Sequence, residues 1–531
     1  MTPLVPREAP LPNLHQVLSV SSPLVLASKD AICNDTPFPP FCKSVLPSND
    51  SFSIHDHGRF SVNQSISSAK ALMSLVQGFL DHQDSLSETM IHALEDCRLL
   101  ESSNIEFLSK TLETIRSTDS LASSGDEDDL LTLLSATMTN QQTCLDGLES
   151  ISSPSNPASA LRAPLLNGTM MYSVSLAIFR HGWVSDARQS RTLIARKLGR
   201  KPPTSPGLVL YPGGNVVKVI QTVVVNSSGG GDFRTISEAV AAAPNNTDGS
   251  NGFYVIRAAA GIYNEYVNII SSKKYLMMIG DGINKTIITG NRSVADNITT
   301  FDTATLIVTG QGFVGVNMTI RNTAGAANKQ AVAVRSNADL STFYRCSFEA
   351  YQDTLYPHSF RQFYRECDIY GTIDFIFGNA AVVLQNCNIF PRLPLQGQFN
   401  AVTAQGRTDI NQNTGTSVQN CTITPAENLG STATYLGRPW KEYSRAVFMD
   451  SFMDSLIHPA GWIAWSGDFA LNTSYYAEFN NSGPGSNTSN RVTWEGFHII
   501  NATDAVNFTV SNLISGASWL PATGVPYNAD L

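Results

Sequence analysis

The sequence predicts two unlike parts, an all-α bundle followed by an all-β solenoid, on three observations. Apolar residues recur at helical spacing in the first third, a repeat of 20 to 21 residues built around cysteine runs through the second half, and a basic, proline-rich stretch without an acid lies between them. At 531 residues the chain exceeds one ordinary compact core. Its 42% hydrophobic and 15% charged content is ordinary for a folded soluble protein, and no apolar run approaches the roughly 18 residues that span a bilayer.

In the first part, Val62, Ile66, Ala69, Met73, Val76 and Leu80 step by three or four and share one helical face. Further such stretches begin near Ser87 and near Asp126, where Asp126, Glu127, Asp128 and Asp129 favour a helix N-terminus through the macrodipole. A small helix bundle follows. Cys33 and Cys42, nine apart, could close a short hairpin; Cys97 and Cys144, 47 apart, could tie two helices together. No nucleophile and base pairing stands out, and His55, His57, His82 and His92 read as surface or satisfied histidines. With about 10 basic against 20 acidic groups in residues 29–190, the charge argues against nucleic acid as a partner, because phosphate binding needs a positive footprint.

Residues 191–217 read as an exposed linker: Arg191, Arg196, Lys197, Arg200 and Lys201, then Pro202, Pro203 and Pro206. A solvated tether and a dibasic processing site at Arg196-Lys197 are both open readings. Asn-x-Ser/Thr sequons, among them Asn34, Asn167, Asn226, Asn284 and Asn487, fit a secreted glycoprotein with oxidised cysteines. Residues 1–28 hold Pro3, Pro6, Pro10, Pro12 and Pro23 and show no unbroken apolar core of a secretory leader.

In the second half, Tyr344-Arg-Cys346-Ser-Phe348, Arg365-Glu-Cys367-Asp-Ile369, Gln385-Asn-Cys387-Asn-Ile389 and Gln419-Asn-Cys421-Thr-Ile423 share one pattern, the first three at intervals of 21 and 20. Such a period in β-branched, Gly- and Asn-rich sequence predicts a solenoid in which residues one period apart stack about 4.8 Å from each other. That reaches disulfide distance, so a Cys367–Cys387 bridge and an unbridged interior cysteine ladder both fit. Applied to polar residues, the same arithmetic stacks Asp353 on Asp374, 21 apart, and Gln330 on Gln352, 22 apart. Two carboxylates so close repel, and one keeps its proton while the other ionises, the division an acid and nucleophile pair requires. Two exposed turn aspartates are the plainer reading; the flanking Tyr351, Tyr356, Phe375 and Phe377 favour a lined cleft.

Other chemistries find little support. Gly310-Gln-Gly312-Phe-Val-Gly315 matches a dinucleotide fingerprint formally, but a strand pattern, Val316–Ile320, follows instead of a helix. There is no Gly-x-Ser-x-Gly, no His-Glu-x-x-His and no paired Cys-x-x-Cys, so neither a serine esterase nor a zinc site is indicated.

Two family resemblances organise these readings. Ala93-Leu-Glu-Asp-Cys97 and the run Leu134 to Gly147 around Cys144 resemble the cysteine-bearing helices of pectin methylesterase inhibitors. That resemblance covers about residues 29–180 and implies a four-helix bundle with pairs Cys33–Cys42 and Cys97–Cys144. From about residue 218 onward the chain resembles plant pectin methylesterases through Gly261-Ile-Tyr-Asn-Glu265, Gln330-Ala-Val-Ala-Val334, Tyr351-Gln-Asp-Thr-Leu-Tyr356, Asp374-Phe-Ile-Phe-Gly378 and Leu436-Gly-Arg-Pro-Trp440. This implies an all-β right-handed parallel β-helix catalytic domain preceded by the all-α four-helix-bundle domain. It also implies roles: Asp374 as nucleophile, Asp353 as general acid then base, Gln330 and Gln352 for the oxyanion, Arg438 pairing with Asp374, and Trp440 and Thr300 against the sugar. The sequence departs from the family pattern at Ala350, where a glycine commonly stands, and at Arg196-Lys197-Leu198-Gly199, where two leucines often follow the basic pair.

The expected organisation is an inhibitor-like pro-domain at 29–190, the linker at 191–217 and the esterase domain at 218–531. The expected substrate is methyl-esterified homogalacturonan, attacked without metal or cofactor by a secreted, cell-wall monomer released by a processing protease. A glycoside hydrolase using the same carboxylate pair, and an inhibitor or carbohydrate-binding protein with a silent β-helix, are the alternatives.

Overall fold

The computed structural model describes residues 28–49, 51–151, 157–184, 208–210 and 216–531. Most of the basic linker, with its dibasic pair, lies outside the described residues.

Two short helices, α1 (Lys29–Asn34) and α2 (Pro39–Val45), are joined by the Cys33–Cys42 disulfide. Four long ones follow: α3 (Ile54–Leu80), α4 (Glu88–Ile115), α5 (Ser124–Glu149) and α6 (Pro157–Trp183). Three begin at a serine whose hydroxyl accepts a first-turn amide, from Asp56 to Ser53, Met90 to Ser87 and Asp126 to Ser123. At α3 the Asp56 carboxylate also accepts the Ser53 amide, closing a capping box. Val62, Ile66, Ala69 and Val76 of the predicted stripe are buried, with Met73 and Leu80 half-buried at its edge. The Cys97–Cys144 disulfide ties α4 to α5 at a Cα separation of 4.7 Å.

The second half of helix α6 shows no sequence stripe because it has no free face: every residue from Met171 to Phe179 is buried. His55 and His82 are satisfied by the carbonyls of Gly182 and Gly78. His57 departs from the expectation. It is buried edge-on to Phe52, neither ring nitrogen is bonded, and burial holds its pKa below the ordinary histidine value.

The second part is a parallel β-helix of three sheets with 12, 8 and 7 strands. Among the described residues every strand pairing is parallel except Leu208–Leu210 against Val216–Val225. Register follows the sequence period: Ser347 pairs with Asp368, and Asp368 with Asn388. The inward column Ile288, Ile320, Phe348, Ile369, Ile389, Ile423 and Met453 runs through seven successive coils and is fully buried. Each such side chain stabilises by about 1.5–3 kcal/mol relative to exposure.

The corner between the 12- and 8-stranded sheets is made each time by one residue in the left-handed region: Asn317, Arg345, Glu366, Asn386, Asn420, Asp450 and Asn480 have φ between 49° and 54° or 56°. Asn tolerates this conformation, and neighbouring corners bond to one another, as Asn420 Nδ2 does to Asn386 Oδ1 at 2.9 Å.

The second residue of each repeat segment is thus the corner, and the cysteine after it points inward. Cys346, Cys367, Cys387 and Cys421 are all buried free thiols. A Cys367–Cys387 bridge is therefore not formed, and the ladder reading holds. Residues in register on adjacent parallel coils send their Cβ bonds in the same direction, whereas a disulfide needs them to converge. The thiols instead bond to carbonyls, Cys367 to Phe343 and Cys387 to Tyr364, each at 3.5 Å.

Candidate active site

The chemistry-bearing residues gather beside the 7-stranded sheet. Gln330 pairs in register with Gln352, and the Asp353 amide bonds to the Ile373 carbonyl, which sets Asp353 one coil from Asp374. Both aspartates are in the left-handed backbone region, at φ 64° and 52°, so their side chains leave adjacent coils in the same sense. Such conformations are costly for non-glycine residues and concentrate at functional positions.

Arg438, just past the strand Thr434–Gly437, holds Asp374 in a two-point ion pair, Nε to Oδ1 at 2.8 Å and Nη2 to Oδ2 at 2.7 Å. Its guanidinium is fixed from the other side by Trp465, 4.1 Å from the ring centroid. Burial pushes both carboxyl pKa values up, but not equally. Asp353 also feels the Asp374 charge and stands well above the usual carboxylate range, while at Asp374 the bonds from Arg438 oppose the rise. The pair is thereby made unequal, with Asp353 the more readily protonated of the two. Among the described residues the Gln330 and Gln352 side-chain amides make no hydrogen bond and remain as N–H donors toward the cleft.

The cleft, about 340 Å³, is lined by these groups and by Thr300, Phe301, Tyr356, Phe377, Ala404 and Trp440. Tyr356 stacks on Phe377 at 4.0 Å, and Phe377 meets Trp440 edge-on at 5.9 Å. Gly406 lets the Trp440 ring lie close, since a Cβ there would come within 2.8 Å of it. Thr300, Gln330, Gln352, Asp353, Asp374, Arg438 and Trp440 all line this one cleft, as do Tyr356 and Phe377 of the four aromatics expected around it; Phe375 is instead buried in the β-helix core, and Tyr351 packs against Arg392 outside the cleft.

Sequence reasoning missed two groups. Trp465 and Phe301 lie outside the repeat, so no period placed them. The roof was also missed: Asp96 of α4 and Thr143, Asp146 and Gly147 of α5, with Ser150, close over the cleft. Thr299 donates to Asp96 Oδ2 at 2.6 Å, Thr143 Oγ1 meets His358 Nε2 at 2.9 Å, and Lys441 Nζ pairs with Asp146 Oδ1 at 2.5 Å. Leu145 and Leu148 of α5 belong to the same apolar cluster as Phe301, Tyr356 and Phe377.

The chain is similar to known proteins. Residues 222–517 match the Pectinesterase family, and residues 27–178 match the Plant invertase/pectin methylesterase inhibitor family. The chain is 51% identical over 527 residues to "Probable pectinesterase/pectinesterase inhibitor 20" of Arabidopsis thaliana, covering 94% of this chain and 93% of that protein. It is 45% identical over 512 residues to "Pectinesterase 2" of Citrus sinensis, covering 94% of each. The solved pectin methylesterase from carrot superposes with a TM-score of 0.57 at 54% identity, covering 58% of this chain and 98% of that one. The chain therefore belongs to the pectinesterase family, with an inhibitor-family helical region ahead of its β-helix.

Proposed function

We propose that this protein hydrolyses the C6 methyl esters of homogalacturonan to pectate and methanol. The observation that carries this reading is the stacked Asp353–Asp374 pair, made unequal by Arg438 and flanked by two unbonded amides. In the first step Asp374 attacks the ester carbonyl, and the N–H groups of Gln330 and Gln352 stabilise the oxyanion. Asp353 gives its proton to departing methanol. It then takes a proton from the water that cleaves the acyl–Asp374 anhydride, and Arg438 receives Asp374 again as a carboxylate. Trp440 and Thr300 hold the sugar. Amide donors facing the carboxylate pair favour acyl transfer over glycoside cleavage, which develops no oxyanion.

The test is methanol release from methylated pectin by Asp374→Asn. A loss of at least about 1,000-fold is expected, because the nucleophile of a covalent mechanism has no substitute. Activity retained within tenfold would remove the reading, and new reducing ends would turn it into a glycosidase.

The domain division at 29–190, 191–217 and 218–531 belongs to the same proposal. The helical region is a pro-domain that holds the enzyme idle by roofing the cleft, and cleavage by a protease in the basic linker releases the β-helix as a monomer. Export to the cell wall fits the two disulfides and the sequons. Among the described residues no helix is long and apolar enough to cross a membrane.

A further inference from the structure

A second cavity, of about 700 Å³, opens where the bundle, the coils around Arg407 and Arg445, and the C-terminal helices meet. Arg445 donates from Nε to the Thr414 carbonyl at 2.7 Å and from Nη2 to the same oxygen. Arg407 donates to the carbonyls of Gln412 and Ile410, and Arg180 of α6, at the exposed mouth, to that of Asn411 at 3.1 Å. These three guanidinium groups bond only to backbone oxygens, and among the described residues none forms an ion pair with a carboxylate.

The acids nearby are committed elsewhere or stand apart. Asp409, whose charge reaches Arg180 and Arg407, accepts bonds from Ser173 and from the Asn411 amide. Asp128 accepts the Ser515 hydroxyl, Asp504 lines the rim, and Arg361 on the same wall is already paired with Asp129 and Asp339. Three cations that share the charge of one carboxylate, Asp409, are still short of counter-charge, and that is costly. Burial, opposed by Asp409 and aided by Arg180, brings Arg407 down to about 10, and burial with repulsion from Arg407 and Arg180 brings Arg445 far below the ordinary arginine value. Tyr443, Tyr475, Asn472 and Asn512 complete the wall, offering ring faces and amides beside the guanidinium groups.

We propose that this cavity binds an acidic sugar, a uronate or short uronate oligomer, whose carboxylate is the missing counter-charge. Ring faces suit a pyranose, amides suit its hydroxyls, and Arg407 and Arg445 suit a planar carboxylate. The choice of a uronate rests on the esterase reading, because that reaction leaves uronate carboxylates behind; the need for an anion does not. Since Arg180 comes from the bundle and Arg407 and Arg445 from the β-helix, a ligand here also fastens the two together.

The experiment is calorimetric titration of the full chain with trigalacturonate at fixed ionic strength, beside inorganic phosphate under the same conditions. Saturable binding of trigalacturonate is expected, weakened at least about tenfold by Arg445→Gln and at least about threefold by Arg180→Gln, and unchanged within about twofold by Trp440→Ala. Arg180 is at the exposed mouth, so its variant decides the matter if Arg445→Gln does not fold. Equal binding of phosphate would overturn the sugar assignment. No saturable heat, or binding lost in Trp440→Ala and kept in both arginine variants, would overturn the site. Failure here leaves the methanol assay with Asp374→Asn untouched, so the two readings fail separately.

Discussion

Each half of the molecule holds four cysteines, and they have opposite fates. In the bundle both pairs are bridged, at Cα separations of 5.4 and 4.7 Å; in the β-helix all four are free and stacked. The bundle is small, and helices joined by loops gain from cross-links that restrict the unfolded chain. The solenoid needs none, because each coil is held by parallel pairing and by a column of buried side chains on both neighbours. One half is stapled; the other is continuous and carries most of the cleft.

The largest effect that would break this contrast comes from the longer staple. Replacing Cys97 and Cys144 by alanine should destabilise the bundle by about 4 kcal/mol, given the span it closes. Calorimetry should show the bundle transition falling while that of the β-helix stays in place. If both fall together, the halves are not separate in stability.

A second test asks whether the roof restrains the enzyme. Residues 208–531 alone should release methanol at least about a hundredfold faster than the uncut chain, about 2.7 kcal/mol of closure. Equal rates would make the bundle a passive companion.

A third uses pH. Glu101 of α4 is fully buried; burial pushes its pKa from 4.5 up to about 8, against the bonds from Asn104 and Tyr172. The folded bundle therefore keeps a proton that the unfolded chain has released. Its stabilising contribution is full below pH 4.5 and is lost as pH rises to about 8, a change on the order of 2 kcal/mol or more. The bundle melting temperature should fall across that window, and Glu101→Gln should flatten the slope; an unchanged slope would mean that Glu101 does not titrate there.

The smallest effect is at the joint. Lys441→Gln should weaken closure of the roof by about 1 kcal/mol, since its pair with Asp146 is partly screened, and methanol release by the uncut chain should rise several-fold. No change would place the holding energy in the apolar contacts of Leu145 and Leu148 instead.

Much of the site was legible because a parallel solenoid converts sequence separation into distance. Intervals of 21 and 22 place Asp353 on Asp374 and Gln330 on Gln352 from the sequence alone. The same rule misled at Cys367 and Cys387, because a period gives separation but not the direction of a side chain. Helix α6 was not isolated, since a segment buried over nine consecutive residues has no amphipathic signal. Trp465, Asp96 and Asp146 were out of reach for a different reason: they meet the cleft through tertiary packing that no local pattern encodes.

The left-handed corners have a consequence for how such a protein can change. Cys387 and Cys421 are 34 residues apart, yet Asn388 still pairs with Thr422, as Asp368 does with Asn388 across 20. One corner is indexed and the rest of the coil is elastic, so length added in 392–399 bulges outward, and length in 406–414 is taken up against the helices, without moving the indexed edge. The fold is thus a ruler with a free margin: new specificity can be grafted along the rim, as drafts in a margin, while the two aspartates keep their place on the scale.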